Sequence, residues 1–102
     1  MALLMTINPL EQSQILNGFR TVLSGHSLNS RNILALRFTQ LQSDTGRDAV
    51  LTSCTESRQH LEFGLSWFEH KPGQHPHLSG SHPVARGELV YHPYNDVWSI
   101  HE

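Results

Sequence analysis

Between His60 and Glu69 the residues alternate. Leu61, Phe63, Leu65 and Trp67 fall on one side, and Glu62, Gly64 and Ser66 on the other. A period of two puts the apolar set on one face of a β-strand. Such a strand needs neighbours to pair its backbone and a layer to cover its apolar face. The rest of the chain has to supply both.

The covering layer is a helix over Pro9–Ser24. Asn8 suits the N-cap, Pro9 the first helical position, and Glu11 sits three residues after the cap, as in a capping box. Ile15, Phe19, Val22 and Leu23 share one helical face, and Gly25 suits the residue just past the end. Gly18 costs this helix about 1 kcal/mol relative to alanine.

The neighbours come from four further stretches. Over Ile33–Gln42, Leu34, Leu36 and Phe38 alternate with Arg37 and Thr39, which favours a strand, while Leu34, Phe38 and Leu41 also fit a helical face. Residues 48–55 are short and β-rich, bounded by turn residues at 43–47 and 56–59. Residues 86–92 and 96–101 form a hairpin around Pro93-Tyr-Asn-Asp96. Strands joined by short turns pair antiparallel. The expected fold is therefore α+β, a single domain over 1–102. Its N-terminal helix, residues 9–24, lies across a curved antiparallel sheet of four to five strands, at about 33–42, 48–55, 60–69, 86–92 and 96–101. In outline this resembles the cystatin-type helix-on-meander folds, a likeness of architecture that carries no function.

The 102 residues suit one domain with a modest core. Charged residues make up 16%, against about 25% in ordinary chains, which excludes a charged disordered tail. One cysteine excludes an intramolecular disulfide and a multi-cysteine zinc site. Cys54, in a strand between Ser53 and Thr55, reads as a core residue. The apolar start, Met1–Met5, has no basic flank and ends at Asn8-Pro9, and nowhere is there an apolar run of membrane-spanning length. The expected location is the cytoplasm, with no membrane partner. The formal net charge of -2 and the lack of a basic run disfavour nucleic-acid binding by bulk charge. No nucleotide or hydrolase fingerprint is present, and no cofactor is expected.

Chemistry concentrates in one half. Of eight histidines, seven follow residue 59. Four of them, His70, His75, His77 and His82, lie in or beside a long Pro/Gly connection over 70–85, and long connections in compact domains are usually functional. Protonating all eight histidines would move the formal charge from -2 to +6, so binding or activity is expected to vary between about pH 5.5 and 7. The aromatic residues cluster here too. Phe63 and Trp67 read as core, and Phe68 and Trp98 as opposed to their apolar neighbours, which leaves one or both exposed at an interface or pocket.

The reading favoured is a small binding or interaction module, recognising a protein or small ligand and able to self-associate as a homodimer. Its surface is the long loop and last hairpin: Trp67, Phe68, His75, His77, Tyr94 and Trp98. The alternative is a metal-independent acid–base enzyme using His82, Arg86, Glu88 and His92, in which an imidazole or carboxylate deprotonates a ribose 2′-OH and the arginine holds phosphate. Residues 75–89, with Gly80-x-x-Pro83-Val84 and Gly87-Glu88-Leu89, resemble loop-to-strand segments of small bacterial toxin domains, which implies a ribonuclease. A third reading is a metal-binding protein in which His75 and His77 ligate a divalent ion with His70, His82, Asp96 or Glu88.

Overall fold

In the computed structural model, which describes residues 8–24, 28–43, 46–76 and 80–101, the helix forms where the sequence places it, as α1 over Pro9–Ser24. The Asn8 side chain accepts the Glu11 amide at 2.8 Å, capping the first turn. The Glu11 carboxylate does not return to the cap. It is buried, at 2% exposure, where it accepts the Ser43 hydroxyl at 3.0 Å and pairs with Arg47 at 3.3 Å. The first turn of the helix is thus bolted to the first strands. Ile15, Phe19 and Leu23 point into the core, and Val22 stays 37% exposed.

The expected strand over 33–42 is replaced by two elements. A short helix α2, Ser30–Ala35, comes first. Asn29 caps it, its side chain accepting the Arg31 and Asn32 amides at 3.1 Å each. Ile33 and Leu36, three apart, are buried while Leu34 is 70% exposed, which is a helical pattern and not an alternating one. Phe38 then takes a left-handed φ of 71° and turns the chain. Only Gln40–Gln42 form a strand, β1.

The remaining strands are β2 (Arg47–Glu56), β3 (Leu61–Glu69), β4 (Ala85–His92) and β5 (Val97–His101). All pair antiparallel in the order β1-β2-β3-β4-β5, so among the described residues the sheet is a meander with β1 and β5 as its outer strands. It curls into a half-barrel with α1 against it, an α+β architecture. Along β2 the register slips between Leu51 and Ser53, an irregularity that bends a strand and sharpens the curl. Gly64 sits opposite the slip, where a Cβ would lie 2.5 Å from Ser53 Oγ.

Directly opposed residues share a face. Leu51, Leu65 and Gly87 therefore lie on the concave side with Ala49, Trp67 and Ala85, and the side chains of all but the glycine join α1 and α2 in one apolar cluster. The convex side carries a smaller patch, Val50 at 1% and Phe68 at 7% exposure, covered by the chain itself. The 70–84 connection is tied down at both ends. The His70 amide donates to Gly46 O at 2.9 Å and the Val84 amide to Trp67 O at 2.7 Å.

Candidate functional site

Three turns converge at one end of the half-barrel. The last residues of α1 (Leu23, Ser24) meet the approach to α2 (Leu28, Asn29), the β2–β3 turn (Glu56, Ser57, Arg58, His60) and the β4–β5 hairpin (Tyr91, Pro93, Asp96, Trp98). They enclose an open cleft of about 560 Å³, within the range of small-molecule sites, about 300–1,000 Å³.

Two aromatic rings lie against each other in the lining. Tyr91 and Trp98 are opposed across β4 and β5 on the concave face, and their rings stack with centroids 4.3 Å apart. Asp96, in a left-handed conformation that aspartate tolerates, accepts the Tyr91 hydroxyl at 3.1 Å. Desolvation, that hydrogen bond and the Asp96 charge all push the Tyr91 phenol above its ordinary value, so it stays a neutral donor.

The rim is polar. The His60 ring is engaged at both nitrogens, Nε2–H donating to Glu62 Oε1 at 2.8 Å and Nδ1 facing Ser57 Oγ at 3.2 Å. His92 lies beside it, with ring centroids 5.5 Å apart. Hydroxyl, imidazole and carboxylate therefore stand in series, the components of an acyl-transfer relay. The single proton of the Ser57 hydroxyl, however, is also claimed by His60 O at 3.1 Å, and its oxygen accepts the His60 amide at 3.3 Å. These bonds are the internal bracing of a tight turn, and they hold the oxygen within it.

The residues singled out from the sequence are dispersed. Trp67 is wholly buried and Phe68 is 7% exposed, so both belong to the fold and not to a binding surface. Trp98 shares a face with Tyr91 and Ile100 instead of opposing its apolar neighbours. It reaches the cleft, whereas Tyr94 stands 92% exposed at the hairpin tip. His75 is half-buried in the loop, and His77 lies outside the described residues. Among the described residues, no three His, Cys, Asp or Glu side chains converge to hold a metal ion.

The acid–base set does not share one centre. Arg86 and Glu88 project from the convex face of β4, and His92 is four residues beyond Glu88, about 14 Å along a strand. His82 lies elsewhere, lining a second cavity of about 310 Å³ with Glu69, Lys71, Gln74 and Ser81. Cys54 faces the concave side opposite Phe63. Burial pushes its thiol up, against the opposing pull of the Arg37 guanidinium, so it is not an activated nucleophile.

One pair escaped the sequence reading. Asp48 on the convex face of β2 is 0% exposed, and both its oxygens meet His70 Nδ1, at 3.1 and 2.9 Å. An aspartate at an alternating strand position reads as solvent-facing, and nothing local shows that a loop histidine 22 residues later seals it in.

The chain matches no protein-family model, no curated protein and no solved structure. No helix among the described residues is long and apolar enough to cross a membrane.

Proposed function

We propose that this chain is a small binding module whose ligand seats in the end cleft. The observation that carries this reading is the Tyr91–Trp98 stack at the floor of a half-open, mixed-polarity cleft. A stacked aromatic pair offers a planar surface on which a further ring lies flat. Asn29, Arg58 and Asp96 at the rim supply hydrogen-bond donors and acceptors for its polar edge. Arg58 against Glu56 and Asp96 leaves no strong single sign of charge. The ligand class that fits is a planar, uncharged or zwitterionic small molecule. The site draws on the C-terminal hairpin expected from the sequence, joined by the β2–β3 turn in place of the long loop.

The two tryptophans make the test direct. Trp67 is sealed in the core and Trp98 lies in the cleft, so ligand entry changes the emission of Trp98 alone. Quinoline- and indole-type fragments are titrated while Trp98 fluorescence is followed, with Trp98→Phe as the control. Saturable quenching lost in Trp98→Phe supports the reading. Quenching that survives the substitution, or none up to millimolar fragment, contradicts it. A protein partner as the true occupant would show as fragment insensitivity together with protection of Trp98 in the complex.

A further inference from the structure

Two histidines from different turns meet beside the cleft. His60 leads into β3 and His92 closes β4, one step beyond the Leu61–Tyr91 pair of the ladder. Their rings stand 5.5 Å apart between centroids, tilted by 44°. Leu61 and Tyr91 face the concave side, so Glu62 and His92, their chain neighbours, project from the convex one. His60 joins them there, its Nε2 2.8 Å from Glu62 Oε1. The side chains of His60 and Glu62 are 28% and 46% exposed, and His92 is half-buried, so water and ions reach all three.

Each ring offers a lone pair. A neutral imidazole carries one N–H and one bare nitrogen. On His60, Glu62 holds the proton at Nε2 and leaves Nδ1 as the donor atom. Nδ1 faces the Ser57 hydroxyl at 3.2 Å, but His60 O draws the same hydroxyl proton. The His92 ring makes no hydrogen bond among the described residues. Two imidazoles on one metal ion, with bonds of about 2.0–2.1 Å and an angle of about 90–120°, hold their centroids roughly 4.5–5.5 Å apart. The observed spacing falls at the wide end of that range.

We propose that His60 and His92 form a two-point site for an imidazole-preferring divalent ion, with Cu²⁺ bound most tightly and Ni²⁺ and Zn²⁺ more weakly. No third ligand converges among the described residues, so water completes the coordination. Glu62 is a positioning residue. By accepting Nε2–H it fixes the tautomer, orients the ring and makes Nδ1 more basic, as carboxylates behind metal-bound histidines do. The site is separate from the 70–84 connection, whose His75 and His77 the sequence marks for this role.

The test is Cu²⁺ titration, followed by calorimetry and electron paramagnetic resonance. It compares the wild type with His60→Phe, His92→Phe, Glu62→Gln and His75→Ala/His77→Ala. Phenylalanine keeps a planar ring at each position, and circular dichroism checks the fold. The wild type should bind with a two-nitrogen signature that each phenylalanine variant loses, with affinity falling at least tenfold. Glu62→Gln should keep that signature and bind about tenfold more weakly, and the loop variant should match the wild type. No binding by the wild type up to about 1 mM ion overturns the proposal. So does undiminished affinity in His60→Phe, His92→Phe or Glu62→Gln, or a loss confined to the loop variant. None of these results depends on whether the end cleft binds a planar ligand.

Discussion

The Asp48–His70 pair is energetically asymmetric. The carboxylate is fully buried and the imidazole is 30% exposed. His70→Ala therefore strands a buried carboxylate whose hydrogen-bond partner was that ring. Stripping one member from a buried charged pair costs about 3–5 kcal/mol, and leaving an ordinary buried acceptor unpaired costs about 1–3 kcal/mol. The loop carrying His70 lies at the surface, and water reaches the carboxylate once the ring is gone, so about 2 kcal/mol is expected. In a domain of this size that lowers the melting temperature by about 8–16 °C. Asp48→Ala removes the group that suffers and leaves an imidazole that water can serve, so its expected cost is below about 1 kcal/mol. The double variant should be more stable than His70→Ala alone. Urea unfolding followed by circular dichroism reads all four proteins, provided the m-value is constant. If Asp48→Ala is the more damaging single change, or the double variant is no better than His70→Ala, the buried-carboxylate reasoning fails.

Other perturbations read other parts of the fold. Gly87→Ala places a Cβ 2.5 Å from His101 O and 3.1 Å from the Trp67 ring. Neither backbone nor core indole yields cheaply, and a loss of about 1–3 kcal/mol in urea unfolding is expected, with a neutral result counting against the β4–β5 register. Cys54 and Tyr91 hold their protons to higher pH in the fold than in the unfolded chain. Their contribution to stability is intact below the ordinary thiol value of 9.0 and is lost as pH rises through the raised values. Urea midpoints should therefore fall above about pH 9 in the wild type and less steeply in Cys54→Ala/Tyr91→Phe, and parallel profiles would remove this explanation. A fluorophosphonate probe should leave Ser57 unlabelled, since the hydroxyl is braced within its turn. Labelling abolished by His60→Ala would instead make the turn an acyl-transfer site.

What the sequence revealed depended on how local the cause was. The helix at 9–24 and the strand at 61–69 declare themselves because Asn8-Pro9 and the Leu61–Trp67 alternation each decide a structure within a few residues. The segment 30–42 misleads because Leu34, Leu36 and Phe38 alternate by chance. Its outcome turns on the Asn29 cap and on a left-handed Phe38, a conformation that phenylalanine does not advertise. The capping box at Asn8 and Glu11 is half right, because two partners more than 30 residues away, Ser43 and Arg47, outcompete the cap for the carboxylate. The site divides in the same way. Trp98 and the hairpin were visible as aromatic excess, but the cleft itself exists only because the curl brings the β2–β3 turn and the end of α1 beside them. The histidine-rich loop drew attention by composition, yet His70 serves to seal Asp48 and His82 lines a separate hollow.

The measurement that bears most directly on the assignment is amide chemical-shift mapping of a small-fragment mixture against the ¹⁵N-labelled protein. If the end cleft is the binding site, the perturbed amides cluster at Ser57, His60, Leu61, Tyr91 and Trp98, and Tyr91→Ala abolishes the cluster. Perturbations gathered instead around Glu69, Gln74, Ser81 and Val84, or scattered without a focus, would show that the stacked pair is only a part of the core.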